Sequence, residues 1–125
     1  METIIMQDSD KDILTSLSWE LEHAGYKVHL TYTLDREVLE LIDMAKPHVV
    51  ILDYKLSGSD AIHICHLVKA FYPNLPVIAM SCNVDIRDTY VEGGFDTYLD
   101  KPFKIRTMFN LIRKFIPEKN LHQHN

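Results

Sequence analysis

His48-Val49-Val50-Ile51-Leu52, followed by Asp53, and Pro76-Val77-Ile78-Ala79-Met80, followed by Ser81, decide how this chain folds. Both stretches are short, apolar and rich in β-branched residues, and neither alternates apolar with polar. A strand with one wet face alternates; a strand covered on both faces does not. The two segments therefore read as inner strands of a parallel sheet with helices on either side.

The rest of the chain follows the same rhythm of short blocks and helical stripes. Thr3–Met6 is a first strand, and Ser9, Asp10 and Asp12 after it suit a helix start. Ile13, Leu14, Leu17, Leu21 and Ala24 form one helical stripe, and Gly25 stops it. Tyr26–Tyr32 reads as a second strand. Asp35 opens a helix carrying Val38, Leu39, Ile42 and Ala45, which ends before Pro47. Ser59 or Asp60 caps a third helix with Ile62, Cys65, Val68 and Tyr72 inward. Asp85–Val91 is a short fourth helix closed by Gly93 and Gly94, and Phe95–Leu99 is a fifth strand. Ile105, Met108, Ile112 and Phe115 mark a last helix that stops at Pro117. Five strands alternating with five helices predict an α/β domain over residues 1–117, with right-handed crossovers and a flexible tail over 118–125.

Composition sets the bounds. The chain has 125 residues, 46% apolar and 25% charged, which is ordinary for one globular domain. Its net charge of −5 argues against a nucleic-acid footprint and against anchoring on anionic lipid. The amino terminus has no basic segment of the secretory kind, and no apolar run approaches the roughly 20 residues of a membrane span. Cys65 and Cys82 form neither a CxxC motif nor a zinc spacing, so a reducing cytoplasm is the simplest location.

In an open α/β sheet, ligands bind beyond the carboxyl ends of the strands. Asp8, Ser9 and Asp10 follow the first strand, Asp53 the third, Ser81 the fourth and Lys101 the fifth. Two carboxylates about 4 Å apart repel by about 4 kcal/mol at an effective dielectric near 20. Mg²⁺, a hard ion with oxygen ligands, would relieve that repulsion. Lys101 and the Ser81 hydroxyl could hold phosphoryl oxygens, and an aspartate can accept a phosphoryl group as an acyl phosphate.

Four stretches in register, IIMQDSDKDIL (4–14), HVVILDYKL (48–56), PVIAMS (76–81) and YLDKPF (98–103), resemble the receiver domain of two-component response regulators. The resemblance implies a flavodoxin-like fold, a five-stranded parallel sheet of order 2-1-3-4-5. By position it implies Asp53 as phosphoacceptor, with Ser81 and Lys101 contacting the phosphoryl group and Tyr98 as a switch aromatic. It also implies a cis Lys101-Pro102 peptide and a Mg²⁺ site drawn from Asp8, Ser9, Asp10, Asp53 and the main-chain carbonyl of Lys55. The implied partners are a histidine kinase or phosphotransfer protein and a downstream protein recruited through the face of the fourth helix, fifth strand and fifth helix. Neither nucleic acid nor membrane is among them, and the expected state is a monomer or weak homodimer.

The chain departs from the family pattern at Ser9, where an ungapped match expects a second acid. Serine is a neutral and poorer ligand, so Mg²⁺ binding is expected to be weak, with Asp8 or Asp10 substituting in part. A one-residue shift would instead make Gln7 the first position and Asp8 the second, but needs an extra residue before Gly25. Ser57 and Ala61 stand where the family has a proline and a glycine. The missing acid motivates an alternative, a pseudo-receiver that binds partners without phosphorylation. A small enzyme fits less well, since no glycine-rich phosphate loop is present, and so does a flavin carrier, since the first loop is acidic where a phosphate would sit. His63 and His66, off the apolar stripe, read as solvated rather than as metal ligands, and Trp19 also lies off the inward stripe of its helix.

Overall fold

The computed structural model describes residues 2–55, 58–82 and 86–116. The elements run β1 (Thr3–Gln7), α1 (Lys11–His23), β2 (Lys27–Thr31), α2 (Arg36–Ala45), β3 (Val49–Asp53), α3 (Ser59–Phe71), β4 (Val77–Ser81), α4 (Ile86–Thr89), β5 (Thr97–Asp100) and α5 (Ile105–Phe115). The strands form one parallel sheet in the order β2-β1-β3-β4-β5. This is the expected flavodoxin-like α/β fold. The expected tail over 118–125 lies outside the described residues.

Successive strand residues point to opposite faces, and each face has its own core. Ile5, Val50, Leu52, Val77 and Ala79 pack with Val38 and Ile42 of α2 and with Ile64, Cys65 and Val68 of α3. Ile4, Met6, Val49, Ile51, Ile78, Met80 and Leu99 pack with Leu14 and Leu21 of α1 and with Met108 and Ile112 of α5. Burial on both faces is why the third and fourth strands show no polar alternation. The register Gln7↔Leu52, Asp53↔Met80 and Ser81↔Asp100 brings the carboxyl ends of β1, β3, β4 and β5 to one edge.

Most strand bounds shift by one residue from the sequence reading, and three elements depart further, two of them for a reason the contacts show. Strand β5 begins at Thr97 rather than Phe95, because Phe95 and Asp96 are engaged elsewhere. The Phe95 ring packs edge-on against Tyr54, with centroids 5.9 Å apart. The Asp96 carboxylate accepts the Val77 N–H at 2.8 Å and pairs with Lys69 at 2.7 Å. Helix α3 has no side-chain cap from Ser59 or Asp60; its N-cap is Gly58 at φ 78°. A Cβ there would lie 2.0 Å from the Tyr54 ring, so both the backbone conformation and the close approach require glycine. Helix α4 is a single turn, Ile86–Thr89, shorter than the sequence predicts, and Asp85 lies outside the described residues.

Candidate functional site

Strand β3 delivers Asp53 as its last residue, 3% exposed, at the sheet edge. Its backbone N–H donates to the side-chain Oε1 of Gln7, the last residue of β1, at 3.0 Å. Asp8 follows Gln7 and is 1% exposed. One of its carboxylate oxygens accepts the Asp10 N–H at 2.9 Å. The other takes the ammonium of Lys101 at 2.6 Å. The same Lys101 Nζ reaches Asp53 Oδ1 at 3.1 Å. One lysine thus bridges two buried carboxylates from the ends of β1 and β3.

Lys101 is positioned by its own backbone: its N–H donates to the Ser81 carbonyl at 2.7 Å, which ties the β5 exit to the end of β4. The Lys101-Pro102 peptide is cis. Ser81 itself is fully buried. Tyr98, two residues before the end of β5, is half-buried, its ring tilted against Tyr90 with centroids 5.1 Å apart. The four residues Asp8, Asp53, Ser81 and Lys101 therefore stand on neighbouring strand ends, with the first two joined directly through the fourth.

Electrostatics at this edge pull in opposite directions. Burial pushes the Asp53 carboxyl above the usual carboxylate range; the Lys101 hydrogen bond and charge oppose this in part, and the nearby Asp8 charge adds to it. Burial also weakens the Lys101 ammonium, but its hydrogen bonds to Asp8 and Asp53 more than reverse that, so Lys101 stays firmly charged. Asp53 Oδ2 is buried and has no hydrogen-bond partner among the described residues. An unpaired buried carboxylate oxygen is costly, and such an oxygen is chemically able to take a cation or form a new covalent bond.

Other residues singled out in the sequence are placed differently. Asp10 is exposed and acts as the N-cap of α1, accepting the N–H groups of Asp12 at 3.1 Å and Ile13 at 3.2 Å. One oxygen of its carboxylate is thus engaged in holding a helix terminus. Among the described residues no three acidic, histidine or cysteine side chains converge as a metal cluster. Ser9 is exposed, and its hydroxyl accepts a hydrogen bond from the Lys55 ammonium. The Lys55 carbonyl already accepts the Gly58 N–H at 2.7 Å, leaving a second lone pair. His63 and His66 are exposed on α3, and Trp19, 60% exposed, stacks on His23.

Two contributors were not foreseen from the sequence. Gln7 appears there only as a residue of an alternative register, and Lys55 only as a main-chain carbonyl. A polar residue ending a buried strand is the signal that could have flagged Gln7; nothing local flags the reach of the Lys55 side chain.

Residues 4–113 match the family model for the response regulator receiver domain. The response regulator MprA of Mycolicibacterium vanbaalenii is 29% identical over 115 residues, covering 90% of this chain and 49% of that protein. The chain thus spans about half the length of the curated relative it matches. In fold it is similar to a two-component response regulator from Clostridium difficile (TM-score 0.82, 23% identity, covering 96% of this chain and 99% of that one). It is likewise similar to the response regulator protein TrrA from Thermotoga maritima, solved in complex with Mg(2+)-BeF (TM-score 0.81, 20% identity, covering 92% and 99%). With the family model matching residues 4–113, most of its length, and the fold shared with solved response regulators, this chain belongs to the response regulator receiver domain family.

Proposed function

We propose that Asp53 accepts a phosphoryl group from a histidine kinase or phosphotransfer protein and that the chain works as a switch rather than as an enzyme. The observation that carries this reading is the state of the Asp53 carboxylate, with one oxygen on Lys101 and the other buried without a partner among the described residues. In the transfer, a carboxylate oxygen of Asp53 forms the new bond to phosphorus, and the donor's bond to phosphorus breaks with its electron pair leaving on the donor. Lys101 neutralises phosphoryl oxygens, and Ser81 at the end of β4 supplies a hydroxyl to them. The change is read out at the α4-β5-α5 face, where Tyr98 rests on Tyr90.

The donor set fits a hard divalent ion such as Mg²⁺, in part. Asp53 Oδ2, Asp8 and the Lys55 carbonyl are oxygen donors of the right kind; the fourth position is the neutral hydroxyl of Ser9, so affinity is low. When bound, the ion would neutralise phosphoryl oxygens. No helix among the described residues is long and apolar enough to cross a membrane. The acidic charge supports partners that are proteins rather than nucleic acid or anionic membrane.

The test is intact mass after incubation with acetyl phosphate and Mg²⁺. The expected result is one added phosphoryl group in the natural chain and none in Asp53→Ala; no addition, or equal addition to both, overturns the assignment. The Ser9–Lys55 contact favours a second reading, a partner-binding module that needs no phosphorylation. Beryllofluoride titration separates the two: saturable amide shifts near Tyr98 support the switch, and a flat response supports the module.

A further inference from the structure

Lys55 lies two residues beyond Asp53 in the β3–α3 connection, and Ser9 lies two residues beyond the end of β1. Strands β1 and β3 are hydrogen-bonded neighbours, so their exits face each other. Across that gap, 46 residues apart in sequence, the Lys55 ammonium donates to the Ser9 hydroxyl. The contact places a cation beside the cluster of Asp8, Asp53 and Lys101, near enough for its charge to act on Asp53. With Lys55 counted, two carboxylates and two ammonium groups make that site neutral by itself. The Lys55 charge is felt inside: it counts among the influences that favour the ionised form of Asp53.

We infer that Lys55 is a tethered counter-cation of the phosphoacceptor pocket, standing where a divalent ion would otherwise supply positive charge and opposing the entry of that ion. The inference rests on the phosphoacceptor reading and concerns how that same site is regulated. Ser9 holds the ammonium in place because a hydroxyl accepts its hydrogen bond without adding charge. A divalent ion entering at Asp53 Oδ2 meets like charge from Lys55 and must displace the Lys55–Ser9 bond. Weak Mg²⁺ binding is then caused by a cation that is present as well as by an acid that is absent. The two causes predict different responses to substitution at position 55.

The experiment is a titration with Mg²⁺ alone at low ionic strength. It follows the amide signals of Ser9 and Asp53 in the natural chain, Lys55→Met and Lys55→Arg. Lys55 is exposed, so neither substitution disturbs the core. Lys55→Met is expected to bind Mg²⁺ at least about fivefold more tightly, and the gain is expected to shrink as salt screens the charge. Lys55→Arg, which keeps the charge, is expected to stay within about twofold of the natural chain. A gain below fivefold in Lys55→Met, or an equal gain in Lys55→Arg, overturns the inference. Acetyl phosphate uptake in the same proteins is read separately. Tighter Mg²⁺ binding in Lys55→Met with no uptake anywhere supports the role of Lys55 and removes the phosphoacceptor reading. Uptake with unchanged Mg²⁺ binding does the reverse.

Discussion

Replacing Lys101 by Met removes the one cation lodged between two buried carboxylates. Its Nζ lies 2.6 Å from Asp8 and 3.1 Å from Asp53, so the two oxygens it bridges are no more than about 6 Å apart. At that distance and an effective dielectric near 20, their repulsion is about 3 kcal/mol. The Lys101 side chain is only 14% exposed, so solvent and salt screen little of this. Loss of one partner from a buried ionic cluster costs about 3–5 kcal/mol in general, which agrees in size. With a urea slope near 2 kcal/mol/M, a loss of about 3 kcal/mol lowers the unfolding midpoint by about 1.5 M at about pH 8.

The loss must also depend on pH in a definite direction. Burial already holds the Asp53 carboxyl above its ordinary range, and Lys101 is what keeps it from going higher. Without the lysine it rises further. An acid whose folded-state pKa exceeds its unfolded value contributes stability at low pH that is lost as pH rises through the folded value. Lys101→Met should therefore approach the natural chain toward about pH 5, as Asp53 takes up a proton, and fall away from it toward about pH 8. Urea unfolding followed by circular dichroism at the two pH values measures both quantities. A pH-independent loss, or none at about pH 8, would refute the argument that Lys101 stabilises the fold by separating two buried charges. Asp53→Asn, which removes one of those charges and its desolvation, should raise the midpoint at about pH 8.

Three further outcomes follow from single contacts. Gln7→Leu leaves the buried Asp53 N–H without its acceptor and should cost about 1–3 kcal/mol of stability, read by the same urea assay. Gly58→Ala forces a side chain into left-handed backbone and against the Tyr54 ring; about 1–3 kcal/mol is expected from the backbone alone, with the displaced ring visible as shifted Tyr54 and Phe95 NMR signals. Cys82 is exposed and should react readily with iodoacetamide in the native chain. Cys65, buried with its thiol pushed up to about 11 chiefly by burial, should react only on unfolding, so mass spectrometry should find one label at neutral pH and two in denaturant.

The period of the apolar residues was enough to place β3 and β4 inside a covered parallel sheet, because strands buried on both faces cannot carry polar alternation. It also put Asp8, Asp53, Ser81 and Lys101 at strand ends, since a strand end is a local event bounded by polar residues and turns. The opening of α2 at Asp35 was legible for the same reason, and that of α1 to within Ser9, Asp10 and Asp12: a cap contacts its own helix two or three residues away. The late start of β5 was not, because Asp96 is held by Lys69 and by the Val77 backbone, 27 and 19 residues away. Nor was the capping role of Gly58, which is set by the Tyr54 ring lying against it.

What the linear chain determined, then, was the alternation of elements and the kinds of side chain available at one edge of the sheet. Only the tertiary structure decided how those side chains are paired. It set Lys101 on Asp8 across 93 residues, Gln7 on the Asp53 backbone across 46, and Lys55 on Ser9 across the same gap. Such contacts depend on strand order and register, which are fixed by packing two cores against one sheet, and a residue's neighbours in sequence carry no record of them.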